Sequence, residues 1–372
     1  MQTNSPKRAC PILKYGTKNV TGIRGDKDDI VGNLIIPRRL TGIAYRVFAD
    51  CTNLTSVTFP NQFIRIEREA FKNCCNLSTL VMPETLTFIG MSAFENCEKI
   101  TSLELPESLT SVGSSAFSGC FGITGSLVIP ERVTRVGSRA FSGCRLTSIT
   151  LPDSLVKVTG FSECTRLRFA KLPQKAEIAR YTFSGCKRLK SISMPTTMSR
   201  VCGFTFHGCT RLTSITLPDT VTTIASFAFC KCKSLAILIL PKTLTQIGNS
   251  AFDSCSGLTR VTFPDTLQSI GARSFRRCNS ISSITLPYSL NQVGVSAFQD
   301  CERLTSVTIG LSPVFVVWVI SNSRNRDNWL ETTLRYSRNI LCLITALALD
   351  KCSIFDPDES KKVFMGCVHL NY

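Results

Sequence analysis

One proline recurs at a nearly fixed interval through most of this chain, at Pro37, Pro60, Pro83, Pro106, Pro130, Pro152, Pro173, Pro195, Pro218, Pro241, Pro264 and Pro287. The spacings are 23, 23, 23, 24, 22, 21, 22 and then 23 four times, and a thirteenth copy opens with Leu304 to Gly310, where Gly310 replaces the proline. Self-similarity at this period means stacked units rather than separate globular domains. A unit this short cannot bury its own apolar residues, so each must lie on its neighbours.

The letters around the proline give the local structure. In the unit LTSITLP, Ile215 and Leu217 alternate with polar residues, which is strand periodicity. The proline lacks an amide donor and ends the ladder. Beyond it Val221 and Ile224 stand three apart, and a small residue usually follows, as at Gly90, Gly113, Gly248, Gly271 and Gly294. Glycine at that place predicts a tight bend with positive φ. An Ala-Phe-x-x-Cys segment closes the unit and is short enough for one turn of 3₁₀ or α-helix. Stacked at about 4.8 Å, the twelve proline-bearing strands predict a parallel sheet roughly 55 Å long.

Phenylalanine and cysteine keep fixed places in every unit, from Phe48 and Cys51 to Phe298 and Cys301. The phenylalanines are expected to fill the interior, and the cysteines a small apolar slot beside them. The whole phrase, LTSITLP-x-x-L-x-x-I-G-x-x-A-F-x-x-C, resembles the leucine-rich repeats of the BspA-like type, also called type 5, over residues 31–310. That resemblance implies a leucine-rich repeat solenoid, a curved right-handed coil with a parallel β-sheet on one face and short strands or helical turns on the other. It further implies protein recognition or adhesion, often at a cell surface. Residues 1–30 read as a polar N-terminal segment. Residues 311–372 read as a non-repeat segment, with Leu330, Leu334, Leu341, Ile344 and Ala348 on one face of a helix that could cap the last coil.

Chemistry-bearing residues are sparse. Only two histidines occur, His207 and His369, and no phosphate-binding, dinucleotide or hydrolase motif is present. His207 follows Phe206 and is expected to be a solvated turn residue. The 19 cysteines lie mostly one per unit, and the pairs Cys74/Cys75 and Cys230/Cys232 are isolated, so no metal site and no cofactor are expected. A regular ladder of thiols with an odd total argues for reduced cysteines. The sequons at Asn19, Asn53 and Asn76 matter only in a secreted chain. The N-terminal residues contain no apolar run of signal-peptide length, and no run reaches membrane-spanning length. The expectation is a cytoplasmic protein, with a cell-surface location as the alternative.

Binding is therefore the class to pursue. A net charge of +17, from 43 Lys+Arg against 26 Asp+Glu, predicts an acidic partner surface. Residues two and four before each proline should point outward. They form mainly a hydroxyl stripe, including Ser56, Thr58, Ser148, Thr150, Ser214, Thr216, Ser283 and Thr285. Three places break it: Phe169 with Lys171, Ile237 with Ile239, and Arg260 with Thr262. A basic run, Arg166, Arg168, Lys171, Lys175, Arg180, Lys187, Arg188 and Lys190, coincides with two shortened units. The candidate partner-binding residues are Arg166, Arg168, Phe169, Lys171, Lys187, Arg188, Lys190, Ile237, Ile239 and Arg260. The favoured reading is a non-catalytic scaffold for a protein partner. A surface adhesin and an electrostatic binder of nucleic acid or anionic membrane are the alternatives; the stripe lacks the aromatic stacking platforms of single-strand binders.

Overall fold

The computed structural model describes residues 13–309 and 316–319. Within them the chain winds into stacked coils, numbered here 1 to 12 by their phenylalanines, Phe48 to Phe298. Most coils contribute to two parallel ladders, coil 4 lacking a strand before its proline, and each contributes to one turn column.

The first ladder lies just before the prolines. Gly32–Ile35, Leu54–Thr58 and Thr79–Leu80 form one piece, and Thr124–Val128, Arg145–Thr150 and Phe169–Lys171 the next. Ile237–Ile239 pairs with Arg260–Thr262, and Ser283–Leu286 with Ser306–Ile309. The expected unbroken sheet is thus divided. Coils 8 and 9 share a single bridge, Ser193 to Thr216. The burial alternation holds nevertheless, with Leu212, Ile215 and Leu217 buried between exposed Ser214 and Thr216. The proline carbonyl then accepts the amide three residues on in all coils but that of Pro195, as Leu244 donates to Pro241 at 3.1 Å, and the chain turns. A hydroxyl two residues past the proline ties that corner to the previous coil: Thr243 Oγ1 donates to Asp219 at 2.6 Å and to Val221 at 2.9 Å.

The second ladder is made of two-residue strands ending in isoleucine or valine, the short strands implied by the repeat resemblance. It runs through Gly42–Ile43, Arg65–Ile66, Phe88–Ile89, Ser111–Val112 and Arg135–Val136. It resumes for Lys157–Val158 with Glu177–Ile178, and again from Arg200–Val201 to Gln292–Val293. Both breaks flank coils 6 and 7, the two that are shorter than the rest.

The Ala-Phe-x-x-Cys segment is not helical, a correction with a clear cause. The residues two before and two after the phenylalanine take the left-handed conformation in all coils but the sixth, for example Ser92 (φ 53°) and Asn96 (φ 61°) around Phe94; around Phe161 only Glu163 of this pair does. The amides between them serve the next coil: Phe94 donates to Ala116 at 2.8 Å and Phe252 to Ser274 at 2.7 Å. A helix would turn those donors back on its own carbonyls. Among the described residues helix is confined to Lys27–Asp29, one 3₁₀ turn capped by Asp26.

The glycine column is also corrected. Gly90, Gly113, Gly248, Gly271 and Gly294 do not take positive φ; they are needed because the backbone of the previous coil passes against them. A Cβ on Gly113 would lie 2.4 Å from the carbonyl carbon of Gly90 and 2.4 Å from the amide of Met91.

The core is a stack of identical layers. The phenylalanine rings lie nearly parallel, with centroids 5.3 Å apart for Phe71 and Phe94 and 5.2 Å for Phe229 and Phe252. At the shortened coils the spacing widens, to 6.3 Å between Phe161 and Phe183. Beside the rings each column cysteine from Cys74 onward donates its thiol to the phenylalanine carbonyl one coil back, as Cys97 to Phe71 at 3.1 Å. The slot is therefore a hydrogen-bonding position as well as a small apolar one.

Both ends carry antiparallel strands. Leu13–Tyr15 pairs with Asn19–Ile23, which docks on Gly42–Ile43 and buries Leu13 and Val20. Val316–Val319 pairs with Ser306–Ile309. The helix expected around residues 328–349 lies outside the described residues.

Candidate partner-binding surface

Strand alternation on the first ladder presents the stripe predicted for it. Phe169 is 61% exposed, Ile237 54% and Ile239 70%, against buried Leu238 and Val261 in the same strands. Their register is direct: Ser148 faces Phe169, Thr150 faces Lys171, Ile237 faces Arg260 and Ile239 faces Thr262. Hydroxyls just before the first of these groups bond along the stripe, as Ser126 Oγ with Ser148 Oγ at 2.7 Å. Phe169 and Ile237 stand three coils apart, about 14 Å along the ladder. The structure thus places these residues on one face, in two separate groups.

The basic run divides. Arg166, Arg168 and Lys171 lie on coil 7 before its proline, and Lys187, Arg188 and Lys190 at the matching place on coil 8; all six are exposed. Lys175 lies past the proline, in the corner that other coils fill with a hydroxyl. Arg180 lies in the turn column, its guanidinium carbon 5.6 Å from the centre of the Tyr181 ring. These two are not part of the first-ladder cluster.

Two arginines that sequence reading passed over complete the cluster. Arg145, Arg166, Arg188 and Arg211 each precede the first buried leucine of their strand, namely Leu146, Leu167, Leu189 and Leu212, on four successive coils. Among the described residues none of the four is paired with a carboxylate. The same place holds Asn53 and Asn76 in earlier coils, where the side-chain amides donate to the backbone of the coil before, at 3.1 Å to Asp28 and 2.7 Å to Thr52. Elsewhere the basic residues do find acids: Lys72 with Glu95 at 2.8 Å, Arg276 with Asp253 at 2.6 Å. The signal for the arginine row was in the sequence, as the dipeptide Arg-Leu in four consecutive units, but it is spread over variable spacings.

His207 departs from expectation. It is half-buried, 5.8 Å from the ring of Phe204, and its pKa is lowered by burial and by Lys231, against a smaller opposing influence of Glu163. Among the described residues no group of three His, Cys, Asp or Glu side chains is placed to hold a metal ion. No helix among them is long and apolar enough to cross a membrane.

Comparison with known proteins accords with the geometry. The family model of the BspA type leucine rich repeat region matches residues 28–125, 124–209 and 200–315. A leucine-rich repeat protein from Bacteroides ovatus is similar in structure, with a TM-score of 0.59 and 25% sequence identity, over 82% of this chain and 89% of that one. A leucine rich cell surface protein from Faecalibacterium prausnitzii shares the fold, with a TM-score of 0.51 and 24% identity over 80% of this chain and 85% of that one. No curated protein matches the chain.

Proposed function

The chain belongs to the BspA-type leucine-rich repeat family, and on that premise we propose that it is a non-catalytic scaffold that binds an acidic protein partner across its first ladder. The contact surface runs from the arginine row and its neighbours Arg168, Lys171, Lys187 and Lys190 to the apolar pair Ile237 and Ile239, with Phe169 and Arg260 along it.

The observation that carries this reading is the unpaired arginine row. Like charges about 5 Å apart repel by roughly 0.8 kcal/mol per adjacent pair even in water. The fold gains nothing from them, since asparagine, serine or glycine serves at the same place in other coils, as at Asn53, Ser234 and Gly257. A carboxylate-bearing partner turns that repulsion into bidentate attraction. The exposed isoleucines give such a partner an apolar anchor, which charge alone does not provide.

Site-specific photo-crosslinking tests the surface. A photoreactive residue replacing Phe169 should capture a discrete protein adduct, whereas one replacing Arg273 in the turn column should not. Adducts at 273 with none at 169 would place the contact on another face.

A further inference from the structure

A second, shorter ladder of rings stands in the turn column. Tyr181, Phe204 and Phe227 occupy the place two residues before the core phenylalanine in coils 7, 8 and 9. Their centroids are 4.6 and 4.7 Å apart, with planes 16° and 13° from parallel. They are separate from the core stack of Phe183, Phe206 and Phe229. All three take φ near +60°, a conformation that bulky side chains disfavour. Other coils put Ser92, Ser115, Arg139, Ser250 or Arg273 there, so the solenoid does not need aromatic residues at this place.

The ring ladder ends abruptly at coil 6. In all other coils four residues separate the isoleucine or valine of the second ladder from the phenylalanine. In coil 6 only Thr159 and Gly160 separate Val158 from Phe161. The missing pair is the one that carries the ring position and the residue before it.

The backbone records the loss. In coils 1 to 4, 7 and 9 to 11 the amide at the ring position donates to the next coil, as Ser92 to Ser114 at 2.8 Å, Ser115 to Ser138 at 2.9 Å and Ser250 to Ala272 at 2.8 Å; Phe204 in coil 8 makes no such bond. At the gap the amide of Arg139 in coil 5 reaches no such carbonyl. The carbonyl of Arg180 in coil 7 receives no such amide. The Tyr181 ring has Phe204 on one side and is 45% exposed. At the usual strand spacing coils 5 and 7 lie about 10 Å apart, and the turn of coil 6 between them is shortened to Thr159 and Gly160, with no residue at the ring position.

We propose that this absent rung is a docking site for an extended segment of a protein partner that carries an aromatic side chain. A peptide unit brings the carbonyl that Arg139 lacks and the amide that Arg180 lacks, at the spacing the chain itself uses in most other coils. Its ring takes the next place on the stack, against Tyr181. Arg139, exposed at the edge of the gap, favours acidic residues beside that ring. Binding is strand addition confined to one rung, on a column distinct from the first ladder and independent of the reading given for it.

The test restores the rung with the chain's own backbone. Two serines inserted between Thr159 and Gly160 give coil 6 the length of coil 5. The probe is a displayed library of random twelve-residue peptides, selected on the full chain. Selected peptides should share an aromatic residue with Asp or Glu beside it. They should bind the insertion variant and Tyr181→Ala at least tenfold more weakly, and Tyr181→Phe within twofold of the parent. Reversing Arg166, Arg168, Lys187 and Lys190 to Glu should leave this binding within twofold, which separates the site from the first ladder. Thermal unfolding of the insertion variant checks its fold; if it unfolds early, the contrast between Tyr181→Ala and Tyr181→Phe decides. The proposal is overturned by selected peptides without a common aromatic residue, by equal binding to the parent and to a folded insertion variant, or by Ala and Phe behaving alike at position 181.

Discussion

The thiol of Cys232 donates to the carbonyl oxygen of Phe206, one coil back, at 3.1 Å, and that same oxygen accepts the amide of Cys209 at 3.1 Å. The relationship repeats from Cys74 on Phe48 to Cys301 on Phe275. Each cysteine thus joins two coils through a polar contact inside an apolar layer. Replacing Cys232 with alanine removes the donor and leaves a small void, and should lower stability by about 1–2 kcal/mol. Cys232→Ser keeps a donor and should lose less. Denaturant titration of both variants distinguishes the contributions; a larger loss with serine would mean that apolar volume governs the column.

The thiols also set an alkaline limit. Burial pushes Cys120 up to about 12 against the opposing backbone hydrogen bond at Cys97, and burial raises Cys144 and Cys186 as well. An unfolded thiol titrates near 8.5. The folded state therefore retains protons that the unfolded state releases above that value, and stability, full below pH 8.5, must fall as pH rises toward the folded values. Each thiol contributes a slope of up to about 1.4 kcal/mol per pH unit. With reductant present, the melting temperature should be level between about pH 7 and 8 and drop steeply between about 9 and 11. A level profile through that upper range would contradict the burial of the column.

Two glycines separate close approach from backbone conformation. Gly113 faces the Gly90–Met91 peptide at 2.4 Å, with backbone that cannot move aside. Gly125 has φ of +80° and nothing within 4 Å of an added Cβ; it sits where the strand register shifts to absorb the one 24-residue spacing. Gly113→Ala should cost about 2–4 kcal/mol as an overpacked core site, and Gly125→Ala about 1–2 kcal/mol for the left-handed conformation. Equal losses measured by thermal unfolding would remove the distinction.

The periodic part of the fold was legible because stacking makes each layer repeat. Pro241, Phe252 and Cys255 stand where their counterparts stand in the other coils, and a column of identical residues needs no long-range inference. What stayed hidden is what coils do to one another. The positive φ of Ser250 and Ser254 and the ordinary φ of Gly248 follow from hydrogen bonds and contacts between neighbouring coils, which a single 23-residue phrase does not display. The same holds for the candidate site. Phe169, Ile237 and Ile239 were legible as breaks in the outward alternation. The arginine row through Arg145 and Arg211 became clear only when variable spacings were aligned in space, and the fold also set Lys175 and Arg180 apart from it.

Recognition of a protein by the basic central coils can be tested by affinity capture from lysate. The parent chain should be compared with a variant in which Arg166, Arg168, Lys187 and Lys190 are reversed to Glu, after circular dichroism confirms that both are folded. One protein partner should be retained by the parent through about 150 mM salt, where exposed charges more than about 8 Å apart are largely screened, and lost from the variant. An unchanged set of captured proteins would contradict it. So would capture of mainly nucleic acid released by a moderate rise in salt, which would mark the surface as an electrostatic binder instead.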